Sequence, residues 1–343
     1  MKVAGIIAEY NPFHRGHAYQ IEETRKKTGA DVIVAVISGS FVQRGAPALF
    51  DAHARARLAL LGGADLVFAL PAANACQSAE FFARAGVKLL DGLGCVDVLS
   101  FGSECGDIRA LEEVARILLD EPEDYRETLK IRLRAGEPFP AARQQALAAY
   151  LSREGENPRN AALLLSPNNI LGVEYMKALR KLRSSMKPFT ISRKGSGYHD
   201  TGLEDTFPSA SAIRLALKEN GGGLPAETER LFAGMPSPVG EAFADALNRE
   251  GCLWEDDFSQ ILRWMLYSRS RQEMTSIREL SPELADRIGR LRNSFETVSQ
   301  FTALLKTREL TYSRISRALF HLLLDIRQAP PISYARLLGF RRE

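Results

Sequence analysis

His14 and His17 stand three residues apart around Gly16, in a chain of 343 residues that has only five His. They close the stretch "EYNPFHRGH" (residues 9–17), which follows directly on an apolar run. Turn chemistry accounts for Asn11, Pro12 and Gly16, but not for the imidazoles. A helix that starts at the carboxyl edge of an open α/β sheet turns free N–H groups and the positive end of its dipole toward a ligand, and phosphates suit that place best. Two flanking imidazoles can donate hydrogen bonds to charge developing on a phosphate during transfer. Gly16 lets the backbone come close. A metal pair is the competing chemistry, but H-x-x-H alone lacks the third nearby ligand of a zinc site.

The elements that must position this motif read as alternating strands and helices. Residues 2–9 form a buried-strand run and 17–28 a helix; 31–38, dense in β-branched residues, is a second strand. A helix over 51–61 has Asp51 as its cap, and 64–70 is a third strand. Residues 78–90 are helical and 96–102 form a fourth strand. This alternation predicts an α/β fold, a Rossmann-like doubly wound parallel sheet with helices on both faces. Three helical segments follow in 107–153, broken by the acidic "DEPED", and Pro167 marks a helix start with Ser166 as its cap. Residues 189–192 are a candidate fifth strand, and 209–217 open another helix. "NGGGLP" (220–225) is the clearest linker, dividing the chain into 1–219 and 224–343. The second part reads as helix upon helix, at 255–270, 282–296 and 311–328.

Composition narrows the function classes. With 45% hydrophobic and 25% charged residues the chain can bury a substantial core. No apolar run approaches the length of a membrane span. The apolar N-terminus lacks a small-residue cleavage site and reads as a strand, not a signal peptide. None of the four Cys sits in a C-x-x-C pair, which argues against a zinc or disulfide framework and suits a reducing cytoplasm. The net charge of +3 is uneven: residues 260–343 hold 15 Lys+Arg against 8 Asp+Glu, a surplus of +7, and the rest carries −4. An Arg-rich region points to a polyanionic partner as readily as to a solvated helical surface. No Ser/His/Asp pattern or nucleophile elbow is present.

H-x-G-H after a first strand resembles the nucleotidyltransferase superfamily, related in fold to the class I aminoacyl-tRNA synthetases. "GIIAEYNPFHRGH", "ISGSFVQRGAPA", "FGSECGDI", "SPNNILGVEYMKAL" and "GYHD" together are similar to the bacterial tRNA(Met) cytidine acetate ligase family. The resemblance runs from residue 1 to about 340. It implies an enzyme that activates acetate with ATP as acetyl-adenylate and transfers the acetyl group to N4 of the wobble cytidine of elongator tRNA(Met). It also implies an ATP site whose first wall is Ile7, Ala8, Glu9, Tyr10, Asn11, Pro12, Phe13, His14, Arg15, Gly16, His17, Ala18, Tyr19 and Gln20, with His14 and His17 as the catalytic pair at the phosphates. Gly102 would lie under the nucleotide, and Asn168 and Arg193 would touch ATP. Apart from the resemblance, these three read as a turn glycine, a helix cap and a surface Arg. The superfamily's second motif, Ser-x-Ser/Thr-x-x-Arg, is matched by Ser209, Ser211 and Arg214, which would hold the β/γ-phosphates; a plain Ser cap fits the same residues. Mg²⁺ is expected on the phosphates, and no carboxylate cage offers it protein ligands.

Transfer to a tRNA needs a basic approach to this site. Arg44, Arg55 and Arg57 surround a loop above the same sheet edge, while Arg314, Arg317 and His321 fall on nearby helical turns with Arg308 and Tyr312 just before them. Of these, Arg44, Arg308, Arg314 and Arg317 are the expected tRNA contacts. Family members usually continue past "YARLLGF" (334–340), a departure expected to bear on tRNA binding more than on ATP binding. The alternative reading is a small-molecule nucleotidyltransferase that moves an adenylyl group to a cofactor precursor. A non-catalytic RNA-binding protein is disfavoured by the intact H-x-G-H.

Overall fold

The computed structural model describes residues 1–193, 209–224 and 228–342, the side chains of 228–230 excepted. The motif "GYHD" lies outside the described residues. Six strands form the main sheet: β1 (Val3–Ala8), β2 (Val32–Ser38), β5 (Leu66–Leu70), β6 (Val98–Ser103), β7 (Lys187–Ser192) and β8 (Arg336–Phe340), with a small hairpin of β3 (Phe41–Val42) and β4 (Ala46–Pro47) between β2 and β5. The order across the sheet is β7-β6-β1-β2-β5-β8. The first five strands are parallel, and β8 closes the edge antiparallel to β5.

Strands covered on both faces read as continuous apolar runs, and the two faces separate residue by residue. Val3, Ile7, Val34 and Val36 pack toward the helices Ala79–Gly92, Ile108–Asp120 and Pro167–Leu182. Ala4, Ile6, Ile33, Ala35 and Ile37 face the opposite layer. That layer holds α1 (Arg15–Thr28), α2 (Ala52–Leu61) and the helices Ala210–Glu219 and Ser237–Glu250. From β1 the chain runs outward through β2 to β5, then returns to β6 on the other side of β1. The carboxyl ends of β1 and β6 therefore flank the point where strand order reverses, the place where such sheets bind ligands.

The helical region differs from its sequence reading in where it breaks. The expected helix 255–270 is a tight turn, Glu255–Phe258, followed by Ser259–Ser268, and Ser270 then caps a separate Arg271–Thr275. Short capping residues start new helices here: Thr297 caps Val298–Leu305 and Thr311 caps Tyr312–Leu323. These helices share a core that includes Leu262, Leu266, Ile288, Phe301 and Leu319. The β3–β4 hairpin is one place where this core meets the sheet's carboxyl edge. The Ser316 hydroxyl donates to the Gly45 carbonyl in the β3–β4 hairpin. Gly45 itself has φ +81°, and a Cβ there would lie 2.4 Å from the Arg317 amide nitrogen, so only glycine fits both the turn and the close approach.

Candidate active site

A cleft opens at the switch point, lined among the described residues by His14, Gly16, His17, Tyr19, Gln20, Gly102, Ile191, Ser192, Arg193 and Ser209. Its geometry starts from the turn after β1. Tyr10 and Phe13 bury their rings against His17, at centroid separations of 4.8 and 5.4 Å. Asn11 Oδ1 accepts from the Leu49 amide at 2.7 Å. From the far end of the sequence, Arg214 Nη1 donates to the Asn11 carbonyl at 2.6 Å and Nη2 to Ser211 Oγ at 3.2 Å. Ser209 Oγ accepts from the Ala212 amide at 3.1 Å and caps its helix. One guanidinium thus ties the H-x-G-H loop to the S-x-S-x-x-R helix.

His14 is the N-cap of α1: its Nδ1 accepts from the Gly16 amide at 3.0 Å. Its own amide donates to His17 Nδ1 at 3.3 Å, and the two rings stack with centroids 3.8 Å apart. A Cβ on Gly16 would sit 2.8 Å from His14 Cε1, so this position must be glycine for the ring to lie there. With both Nδ1 atoms accepting, each neutral ring carries its proton on Nε2. Burial, then the Arg193 and Arg214 charges, pull the His14 pKa down to about 3. Burial, then His14 and Arg193, hold His17 well below the usual imidazole range. Near pH 7 the pair is therefore neutral and offers two Nε2–H donors among fixed cations.

A pH consequence follows with a defined sign. In the unfolded chain His14 binds a proton below its ordinary 6.5, whereas the folded chain resists it down to about 3. Stability from this group is full above pH 6.5 and is lost as pH falls from there toward 3. By pH 5 the loss is about 2 kcal/mol from this group alone. Urea unfolding at pH 7 and pH 5 checks it: His14→Asn should shrink the acid-induced loss by about that amount, and an unchanged loss would refute the assignment.

Of the fourteen wall residues expected from sequence, His14, Gly16, His17, Tyr19 and Gln20 line the cleft. The others underpin it or face away. Ile7 packs in the opposite layer against Gly86, and Ala8 and Ala18 pack beside the other core cluster. Glu9 Oε1 accepts from the Gln43 amide at 2.7 Å, Pro12 is buried, and Arg15 Nε donates to the Met235 carbonyl at 3.2 Å. Gly102 and Arg193 meet in the cleft, where a Cβ on Gly102 would touch Arg193 Cγ at 3.4 Å. Asn168 is not part of the lining. Its amide and Nδ2 donate to Glu104 Oε1 at 3.2 and 2.7 Å, and the Asn169 amide donates to Glu104 Oε2 at 2.8 Å. Glu104, not the expected Ser166, satisfies that helix start, since the Ser166 side chain makes no capping bond. Ile191 and Ser192 went unforeseen in the lining; their position at a strand's carboxyl end beside the switch point was the available signal.

Two of the basic residues noted around the expected approach, neither among the four expected tRNA contacts, are buried. Arg55 is fully buried. Its Nη1 donates to the Glu9 carbonyl at 2.6 Å, Nε to Phe50 O at 3.2 Å, and Nη2 to Ser38 O at 2.7 Å and to Gly39 O. His321 is likewise buried, its ring nitrogens 3.0 Å from Arg278 O and 2.5 Å from Cys76 O. Arg317 is largely covered and pairs with Glu279 at 2.9 Å. Arg44, Arg57, Arg308 and Arg314 are exposed.

A family model described as HIGH Nucleotidyl Transferase matches residues 1–343. The tRNA(Met) cytidine acetate ligase of Caldanaerobacter subterraneus subsp. tengcongensis is 40% identical over 345 residues, spanning 99% of this chain and 83% of that protein. The protein of the same name from Alkaliphilus metalliredigens is 38% identical over 355 residues, spanning 99% and 82%. Thermotoga maritima TmcAL in an apo crystal structure is similar at a TM-score of 0.90 and 35% identity, over 99% of this chain and 81% of that one. The same protein bound with alpha-thio ATP is similar at 0.86 and 34%, over 95% and 75%.

Proposed function

The chain belongs to the HIGH nucleotidyl transferase family, with tRNA(Met) cytidine acetate ligases as full-length relatives, and from that membership we propose that it is an ATP-dependent tRNA(Met) cytidine acetate ligase. The observation that carries the chemistry is the stacked, neutral His14–His17 pair at the switch point, with Arg193 and Arg214 close enough to act on it. In the first step an acetate oxygen attacks the α-phosphorus of ATP, the α–β bridging bond breaks, and pyrophosphate leaves with the electron pair. The Nε2–H groups of His14 and His17 donate to the phosphate oxygens as charge moves onto them, and the cations beside them stabilise the leaving group. In the second step the cytidine N4 amine attacks the acetyl carbonyl of acetyl-AMP; AMP leaves and the amine gives up one proton. Both steps rest on positioning and charge, without a protein nucleophile.

Mg²⁺ enters with ATP in this reading. Among the described residues the cleft lining contributes no carboxylate, and no group of three or more His, Cys, Asp or Glu could hold a metal ion. The described lining residues alone offer no ligand set for a resident cation.

The test is pyrophosphate release from ATP with and without acetate, followed by mass spectrometry of nucleosides from added elongator tRNA(Met). Acetate-dependent release and N4-acetylcytidine are the expected results. Release that ignores acetate would favour adenylyl transfer to another acceptor, as in a small-molecule nucleotidyltransferase.

The exposed Arg44 in the β3–β4 hairpin and Arg308 and Arg314 on the helical side are the proposed tRNA contacts, with Arg317 held back by Glu279. Arg308→Ala combined with Arg314→Ala should leave acetyl-AMP formation intact, weaken tRNA binding, and lower the slope of log K against log salt by about 1–2. An unchanged slope would move the contact elsewhere.

A further inference from the structure

The helix Ser259–Ser268 turns Ile261, Trp264 and Tyr267 outward at three-residue spacing, with Trp264 67% and Tyr267 50% exposed. Helix faces seldom present large aromatic rings to water unless something covers them. The surface beside Tyr267 is cationic. The Arg292 guanidinium lies 5.2 Å from the Tyr267 ring centroid, and the Tyr267 hydroxyl donates to Asn293 Oδ1 at 3.0 Å, which fixes the ring's direction. Arg292 also lines an open groove together with Arg269, Arg271 and Arg290, where the only carboxylate in the lining is Asp286. Asp286 is taken by Arg271 and Glu273 reaches Arg269, so Arg290 and Arg292 form no ion pair among the described residues.

We propose that this face is a docking surface for unpaired nucleotides of the RNA substrate, with Trp264 and Tyr267 stacking on bases and the Arg290–Arg292 groove holding the adjoining phosphates. The proposal rests on the tRNA ligase reading above and adds to it a surface that the H-x-G-H motif does not reach. Charge decides the occupant. A protein partner covering an apolar stripe would not need unpaired guanidiniums along its border, whereas a single strand supplies a π-face and a phosphate at every nucleotide. The same helical unit meets the β3–β4 hairpin at the sheet's carboxyl edge through Ser316 and Gly45, so an RNA gripped here is held by the body that also abuts the catalytic edge.

The chain has two Trp, and Trp254→Phe leaves Trp264 as the sole indole. In that background, titration with an elongator tRNA(Met) transcript should quench Trp264 fluorescence. Trp264→Ala and Tyr267→Ala should each weaken tRNA binding about 5- to 100-fold, Trp264→Phe should retain most of the affinity, and Arg290→Ala with Arg292→Ala should lower the salt slope by about 1–2. Acetate-dependent pyrophosphate release without RNA should stay at the wild-type rate in all of them. If the wild type binds and acetylates the tRNA while the Trp264 and Tyr267 variants bind as it does, the surface is wrong and the ligase reading stands. If the wild type neither binds nor modifies tRNA, the ligase reading itself fails. A change in oligomeric state on Trp264→Ala, with RNA affinity unchanged, would identify the face as a contact between copies and overturn the proposal.

Discussion

Replacing His14 with Ala should lower acetate-dependent pyrophosphate release by about a hundredfold or more, and His17→Ala should do the same. Each change removes an Nε2–H donor that is neutral, fixed and surrounded by cations at pH 7. The His14 change also strips the N-cap of α1, leaving the Gly16 amide without its acceptor, for a loss of about 1 kcal/mol in stability. The two effects separate: His14→Asn keeps a capping side chain and should regain the stability but not the rate. Because the rings stack at 3.8 Å and His17 Nδ1 holds the His14 amide, the double variant should lose less than the product of the two singles. Rates near wild type in both single variants would remove this pair from the phosphate site.

Arg55→Met is expected to cost about 3–5 kcal/mol of folding stability, read as a fall in the urea midpoint. The guanidinium is fully buried and donates to carbonyls of Glu9, Ser38, Gly39 and Phe50. Burial lowers its pKa to about 10 against the pull of Glu9 and Asp51, so it stays charged at neutral pH. Methionine fills much of the space but leaves those carbonyls with no donor. Arg55→Lys can satisfy only part of the set and should fall between the two. Since the carbonyls belong to the turns after β1 and β2 and to the entrance of α2, surviving Arg55→Met protein should also bind ATP more weakly. A midpoint within error of wild type would show that water or a neighbour replaces the lost donors.

The strand–loop–helix around His14 was legible because turn residues, an apolar run and a glycine mark it locally. The same holds for Asp51 as the α2 cap, which accepts from the Ala54 amide at 2.7 Å, and for the helix opened by Ser209. Local pattern says nothing of partners far along the chain, so the Arg214–Asn11 bond, 203 residues apart, and the Glu104–Asn168 bond, 64 apart, could not be read. Arg55 is a case where more was available. In "AHARARLALL" Arg55 and Arg57 are two positions apart, roughly 200° around a helix, so one of them had to turn inward if the other faced water. The strand β8 escaped because five residues with only Leu338 and Gly339 partly covered carry too little alternation to stand out.

That last strand has a consequence for how the chain is made. β5 is synthesised early, yet its outer partner follows about 270 residues later, pairing Leu66 with Phe340 and Ala69 with Arg336. At common translation rates that interval is on the order of ten seconds to a minute. Throughout it the outer edge of β5 presents unpaired N–H and C=O groups, a ready template for another chain. The finished fold hides this edge, so the nascent chain on the ribosome is the species that most needs a chaperone.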